Sequence, residues 1–222
     1  MEVQLNFSNL LSAMKKYKKT LFLVLSILFG GSVNAIEEPD YKIIDKNLNF
    51  EIRHYEEYLV AEVSLFGDFN SSGSQAFKIL AGYIFGDNST VKKMKMTAPV
   101  ESQFESTSEK MAMTAPVLST SEDGKYIYRF VMEKKYSMDT LPAPNDTRIK
   151  LHKIKPRFMA VKSYSGSWNE KNYNNNKKEL MKSLNYQGIQ VIGVPIFARY
   201  NAPFVPWFLR RNEVMVEIDW PQ

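Results

Sequence analysis

The chain contains no cysteine and only two histidines, His54 and His152. Without thiols there can be no disulfide framework, no zinc-thiolate site and no thioether attachment of a cofactor through C-x-x-C-H. An oxidising compartment is still compatible with a cysteine-free chain. The sequence also lacks G-x-S-x-G, H-E-x-x-H, a Walker-type phosphate loop and G-x-G-x-x-G. Its adjacent acidic pairs, Glu37-Glu38 and Glu56-Glu57, point to opposite faces if they lie on strands, so neither pair can act together on one bond. These absences argue against an enzyme. The apolar run LFLVLSILF (21–29) is too short to cross a bilayer, which takes about 20 residues.

That run belongs to an N-terminal segment with its own logic. Lys15, Lys16, Lys18 and Lys19 precede it, and Gly30-Gly31 and SVNA follow. Val33 and Ala35 occupy the −3 and −1 positions of a small-residue cleavage site, which is the order of a secretory signal peptide. Residues 1–35 are therefore expected to be a cleaved signal, or alternatively an uncleaved membrane anchor, with 36–222 as the working domain. Met14 is a candidate alternative start. The expected location is outside the cytoplasm, periplasmic or extracellular. The formal net charge of +5 largely belongs to this segment. It holds four Lys and one Glu, which leaves 25 basic and 23 acidic residues beyond Ala35. No basic patch beyond Arg210-Arg211 offers a nucleic-acid footprint.

What the domain does have is apolar and patterned. Of the 222 residues, 44% are hydrophobic and 13% aromatic, enough for a globular core. Two segments match at an offset of 99: LVAEVSLFGDFN (59–70) and FMAVKSYSGSWN (158–169). Ala61 meets Ala160, Ser64 meets Ser163, Gly67 meets Gly166 and Asn70 meets Asn169. Each copy reads as a strand, a glycine turn and an Asn placed to cap a helix. Phe77, Leu80, Ala81 and Ile84 then give the stripe of a first helix, stopped by Gly86. A more polar second helix spans about 170–184, its stripe being Tyr173, Leu180, Met181 and Leu184. Strands are expected at 126–132 and 213–218, and further ones at 41–55, 110–117 and 147–155. In the 213–218 strand, Val214, Val216 and Ile218 alternate with Glu213, Met215 and Glu217, as in a half-buried strand. The fold class is α+β: duplicated β-α-β-β units forming a distorted antiparallel barrel or sheet with two helices.

One unusual word occurs twice, MKMTAPV (94–100) and MAMTAPV (111–117). Read as strands, the two put Met94 and Met96, and Met111 and Met113, on one face each, and could pair as a hairpin lined with methionine. Such rows fill an irregular core, or they line an adaptable pocket for a flat ligand.

The ordered motifs FEIRHYEEYLVAEV, KMKMTAPV, MAMTAPV, LPAPNDTRIKL, AVKSYSG, YNAPF and RRNEVMVEI resemble the SOUL/haem-binding protein family over about residues 41–219. The resemblance implies noncovalent binding of haem or a related tetrapyrrole by a carrier or buffer. It implies two modes of attachment: an axial histidine from the FEIRHY segment, which here is His54, or an apolar groove beside the first helix with cations on the propionates and no iron ligand. The candidate haem contacts are then His54, Lys78, Arg210 and Arg211, with Phe77, Ala81, Met94, Met96, Met111, Met113, Phe204 and Trp207 lining a pocket. Each has a plainer reading. His54 can be a core histidine, Lys78 a solvated helix residue, and the Arg pair a bridge to Glu213. The same resemblance extends to bacterial domains that bind other apolar or cationic small molecules, and to occasional hydrolases. A generic effector-binding module and a hydrolase in the same groove are therefore the alternative functions. The partner is expected to be a tetrapyrrole or other apolar small molecule, with no nucleic acid and with membrane contact only if the N-terminal segment is kept.

Overall fold

A computed structural model describes residues 36–91, 106–122 and 124–221. Twelve strands and two α-helices follow in the order β1 Tyr41–Lys46, β2 Glu51–Tyr55, β3 Tyr58–Phe66, α1 Phe69–Ile84, β4 Asn88–Val91, β5 Ser106–Thr107, β6 Val117–Glu122 and β7 Lys125–Val131, then β8 Ala143–Pro144, β9 Lys150–Ile154, β10 Arg157–Tyr164, α2 Glu170–Tyr186, β11 Ile196–Arg199 and β12 Asn212–Glu217. Nine of the strands form one curled antiparallel sheet in the order β1-β2-β10-β12-β11-β6-β7-β3-β9. The short β5, β4 and β8 form a small separate sheet. The architecture is α+β: two helices on a large distorted antiparallel sheet.

The offset of 99 reappears in the strand registers. Tyr58 pairs with Ile154 and Val60 with His152, between β3 and β9. Add 99 to the first partner and subtract it from the second, and the β10–β2 pairs result: Arg157 with Tyr55 and Met159 with Arg53. The short strand that precedes each long strand thus pairs with the long strand of the other half.

Side-chain alternation along these strands divides the core. Val60 of β3, Met159 and Val161 of β10, Leu118, Ile196, Ala198 and Met215 pack on one face of the curl. On the other face Leu59, Ala61 and Val63 of β3 meet Ala76, Leu80 and Ile84 of α1. Ala160, Val214 and Val216 meet Leu180 and Leu184 of α2 there. Burying a Leu or Ile side chain of this kind contributes about 1.5–3 kcal/mol, so each helix is held mainly by its few inward aliphatics. As expected, α2 buries less: Leu180 and Leu184 against six residues of α1.

Several expectations need correcting. The strand expected over 41–55 is two strands with a turn at 47–50, where Asn47 Oδ1 accepts from the Asn49 and Phe50 amides. No strand runs through 110–116; β6 begins at Val117. The Met111 amide donates to the Ile84 carbonyl and the Ala115 amide to Glu37. The Ala112 amide donates to the Glu133 carboxylate. The backbone of MAMTAPV is satisfied by loops, not by a ladder. The first copy, 94–100, lies outside the described residues, so the proposed hairpin does too. The cap of α1 is Asp68, whose carboxylate accepts from the Asn70 and Ser71 amides; Asn70 sits inside the first turn. The cap of α2 is Asn169, as read from sequence. Finally, β12 is buried on both faces, because the core around Met215 covers one and α2, over Val214 and Val216, covers the other. Glu213 and Met215 are 0% and 3% exposed, where a half-solvated strand would have left them wet.

Candidate functional site

An apolar cavity of about 630 Å³ opens beside α1. One side is the helix, through Phe69, Gly73, Ser74 and Phe77. The floor is the outer face of β7 and the ends of β6 and β11, through Tyr128, Phe130, Val117 and Arg199. The rim comes from the 113–115 segment, Trp168, and the 200–203 turn. Ligand pockets for small organic molecules fall in this volume range and have this mostly apolar character.

Gly73 lies against Tyr128 where the helix meets the floor. A Cβ there would stand 3.4 Å from the Tyr128 hydroxyl. That is an ordinary van der Waals contact, so the close approach does not depend on glycine there. The Tyr128 hydroxyl in turn bonds Ser72 Oγ at 2.8 Å. Phe77, 44% exposed, packs edge-on against Phe130 with ring centroids 5.6 Å apart. It faces the cavity and not the core, so the buried line of α1 runs through Ser72, Ala76, Leu80 and Ile84.

The opposite wall is built on Trp168. Its indole donates to Asn212 Oδ1 at 2.8 Å, and the Asn212 amide donates to the Gly166 carbonyl at 3.0 Å. Gly166 has φ of +130°, and a Cβ there would lie 2.6 Å from Asn172 Nδ2, so this turn requires glycine. Two guanidinium groups flank the indole: Arg210 at 4.2 Å from the ring centre and Arg199 at 5.9 Å.

The cations differ sharply in their partners. Arg210 donates to the Val205 and Pro203 carbonyls and so holds the 203–205 loop. Arg211 pairs with Glu213 at 3.0 Å and Glu38 at 3.1 Å, and its guanidinium lies 3.7 Å from the Tyr200 ring centre. Glu213 also takes Arg53 at 3.1 Å, the Ser163 hydroxyl at 2.9 Å and the Tyr200 hydroxyl at 2.6 Å. Burial is the largest single influence and opposes the Arg53 and Arg211 charges, but Glu213 acting with Tyr55 and Glu51 on Arg53, and with Tyr200 and Glu38 on Arg211, holds both pKa values above the usual arginine range. Burial, then Glu213, pushes the Tyr200 hydroxyl well up. Arg199 has no such company. Among the described residues it has no acidic partner, and its Nε is buried without a hydrogen bond. It lies 5.4 Å from the Phe197 ring centre. Burial pulls its pKa down, with Tyr128 and Tyr164 opposing.

The structure gathers only some of the residues named from sequence. Phe77 and Met113 line the cavity. Ala81 and Met111 are buried in the core under α1. Lys78 is exposed on α1 and is not part of the lining. Phe204 and Trp207, 87% and 59% exposed, stand on the loop just beyond the Pro203 rim. Met94 and Met96 fall outside the described residues. His54 lies elsewhere: it sits on β2, its ring tilted against Phe158 of β10 with centroids 4.7 Å apart, and is not in the cavity lining. His152 lies 3.4 Å from Glu62 and is partly exposed. Among the described residues, no three His, Asp or Glu side chains cluster to hold a metal.

Sequence reasoning missed Arg199, Trp168 and Tyr128. A usable signal for Arg199 was present: it closes a short apolar strand, IFAR, on the same face as Phe197.

Against this geometry the comparisons decide the family. Residues 36–217 match the family described as "SOUL heme-binding protein". The chain belongs to the SOUL haem-binding family. No curated protein matches it. Among solved structures it is similar to the EcmrR C-terminal domain, at 12% identity and a TM-score of 0.53, covering 81% of this SOUL chain and 98% of that one. It is also similar to a hydrolase from Listeria innocua, at 10% identity and a TM-score of 0.50, covering 79% and 94%. An uncharacterized conserved protein from the same organism gives 10% identity and 0.51, covering 77% and 92%. At these identities the likeness is one of fold.

Proposed function

We propose that this SOUL protein binds haem or a related tetrapyrrole noncovalently in the cavity beside α1, as a carrier or buffer. The observation that carries the reading is the cavity: about 630 Å³, walled by Phe69, Phe77, Met113, Val117 and Phe130, with one cation, Arg199, and no carboxylate among the described residues of its lining. These residues suit the group. The apolar side chains would cover the macrocycle and Arg199 would meet a carboxylate, while Trp168 gives a flat face at the rim. When bound, the group supplies a broad apolar disc with acidic substituents, and the protein's part is to shield the disc and hold the acids. The lining contains no histidine, so the reading is the groove mode, without His54 on the iron.

Titrating haem into the purified chain, followed by absorbance, tests this. We expect saturable binding and a spectrum unchanged in His54→Ala. No saturable binding at micromolar concentration overturns the haem reading, and a changed His54→Ala spectrum overturns the groove mode. The absence of histidine from the lining also favours a second reading, a binding module for some other flat amphipathic molecule, which the same titration separates. We read the chain as a binder and not a catalyst; turnover of a bound ligand would reverse that. We also propose export, with residues 1–35 as a cleaved signal and anchoring as the alternative, supported by the Lys cluster, the short apolar run and Val33-Asn34-Ala35.

A further inference from the structure

We infer that the 203–209 loop is a membrane-docking tip: Phe204, Trp207, Phe208 and Leu209 enter the interface of a lipid bilayer and bring the mouth of the cavity against it. The inference goes beyond the tetrapyrrole reading and stands without it. It also needs no part of residues 1–35.

The side chains come first. Phe204, Trp207, Phe208 and Leu209 all stand more in water than in protein. Four large side chains so exposed present on the order of 500 Å², taking about 200 Å² for a whole aromatic side chain. A patch of that size is as large as a monomeric protein usually leaves in water, and such patches are commonly functional. It falls short of the roughly 800 Å² per partner that a stable dimer buries. A bilayer sets no such minimum, and Trp, Phe and Leu are side chains that settle at its interface. Charge agrees with this. Residues 202–209 carry no charged side chain, and the first cation after them, Arg210, is folded back on its own loop. The tip therefore offers nothing to anionic headgroups, and the docking is apolar.

The backbone points to the same medium. Hydrocarbon supplies no hydrogen bonds, so a loop that enters it must satisfy its polar groups from within. Pro203 and Pro206 have no amide hydrogen to satisfy. The Val205 amide donates to the Ala202 carbonyl, that of Leu209 to Pro206 and that of Arg210 to Trp207. The Trp207 carbonyl also accepts from the Gly166 amide at 3.2 Å. The Arg210 guanidinium donates to the Pro203 and Val205 carbonyls, each at 2.7 Å, while lying over the Trp168 ring. The tip is thus ordered, with these carbonyls already engaged, before it meets lipid. Pro203 belongs both to the tip and to the cavity lining, so docking sets the mouth at the bilayer, where an apolar ligand can pass without crossing water.

The test uses the full chain, whose lack of cysteine lets one introduced thiol carry a polarity-sensitive NBD dye with no competing site. The dye is placed at Phe208→Cys and, as a control, at Lys178→Cys on the exposed side of α2. Phosphatidylcholine vesicles are added with no other ligand, so the result is independent of whether a tetrapyrrole binds. We expect the dye at residue 208 to shift to the blue, and to be quenched when the acyl chains are brominated, while the dye at residue 178 stays aqueous. Raising the salt to molar concentration should change neither. Trp207→Ser and Leu209→Ser should each lower insertion of the labelled loop by roughly 10-fold, the lower end for returning a side chain of this size to water. Both should melt like the parent, since these side chains are already in water. A dye at residue 208 that stays aqueous on vesicles overturns the inference, even if residues 1–35 hold the chain there. So does insertion that salt reverses or that requires anionic lipid. A dye at residue 208 shielded before lipid is added also overturns it: shielding that fades on dilution would mean a contact between copies, and shielding that persists would mean that the chain itself covers the loop. An equal response at residue 178, or a markedly lower melting point in Trp207→Ser, overturns it as well.

Discussion

Glu213→Gln is the substitution that most directly tests how the back of the cavity is held. Glu213 is fully buried and receives Arg53, Arg211, Ser163 and Tyr200. Gln keeps the shape and removes the charge. Arg53, 3% exposed, then keeps Glu51 at 2.7 Å as its one carboxylate, with the Tyr55 hydroxyl at 3.2 Å, and Arg211 keeps Glu38. Removing one partner of a buried ion pair costs about 3–5 kcal/mol. The surviving partners put the expected loss near the lower end, about 3 kcal/mol. In a chain of this size each kcal/mol moves the melting midpoint by about 2–4 °C, so the midpoint should fall by roughly 6–12 °C. Circular dichroism melts and urea titrations read this. Tyr200 adds a second readout, because it donates to Glu213 and lines the cavity at once; ligand affinity should drop together with stability. A loss below about 1 kcal/mol, the range of an exposed pair, would refute the view that Glu213 is the buried hub of this region.

Three further outcomes follow from single residues. The Ser71 hydroxyl, with the Ser71 and Asn70 amides, holds the Asp68 carboxyl at about 2, below the usual 3.8; a depressed carboxyl contributes stability above its ordinary pKa and loses it as pH falls, so the stability gap between the parent and Asp68→Asn should close from pH 4 toward 2, and a gap constant across that window would defeat the argument. Ser74→Trp should fill the cavity and abolish ligand binding with little change in melting, since Ser74 is exposed on α1 and lines the cavity; unchanged affinity would mean that the ligand sits elsewhere. N-terminal sequencing of exported protein should begin at Ile36, and a membrane-bound product retaining residue 20 would favour the anchor.

Most of the fold could be read from the sequence because it rests on local, periodic signals. The match between 59–70 and 158–169 located both long strands and both glycine turns, and Gly67 and Gly166 do adopt φ of +141° and +130°. The α2 stripe emerged from spacing alone. The errors came where tertiary context overrides a local pattern. EVMVEI (213–218) has the Glu-Val alternation of a half-solvated strand, yet β12 is covered on both faces, by the core around Met215 and by α2 over Val214 and Val216. Its inward carboxylate survives because Arg53, 160 positions away, comes to meet it. Likewise MAMTAPV has a strand's alternation but no neighbouring strand: its amides are claimed by Ile84, Glu133 and Glu37.

The site was less legible, for a different reason. Candidates were chosen as residues able to make favourable contacts with a ligand: a histidine for iron, lysine and arginine for acids. Most such residues are occupied in the folded chain. Arg211 was the expected propionate partner, but it has two carboxylates already. Arg210 was another, and it is spent on carbonyls of its own loop. A long cationic side chain will find a partner if one is within reach, so its presence in a motif says little about ligands. What distinguishes Arg199 is that its neighbours leave it without one. That depends on Phe197, Trp168, Tyr128 and Tyr164 converging from β11, the turn before α2, β7 and β10. No local window of sequence contains all four. A binding residue of this kind is defined by what its surroundings fail to supply, and only the assembled fold reveals that deficit.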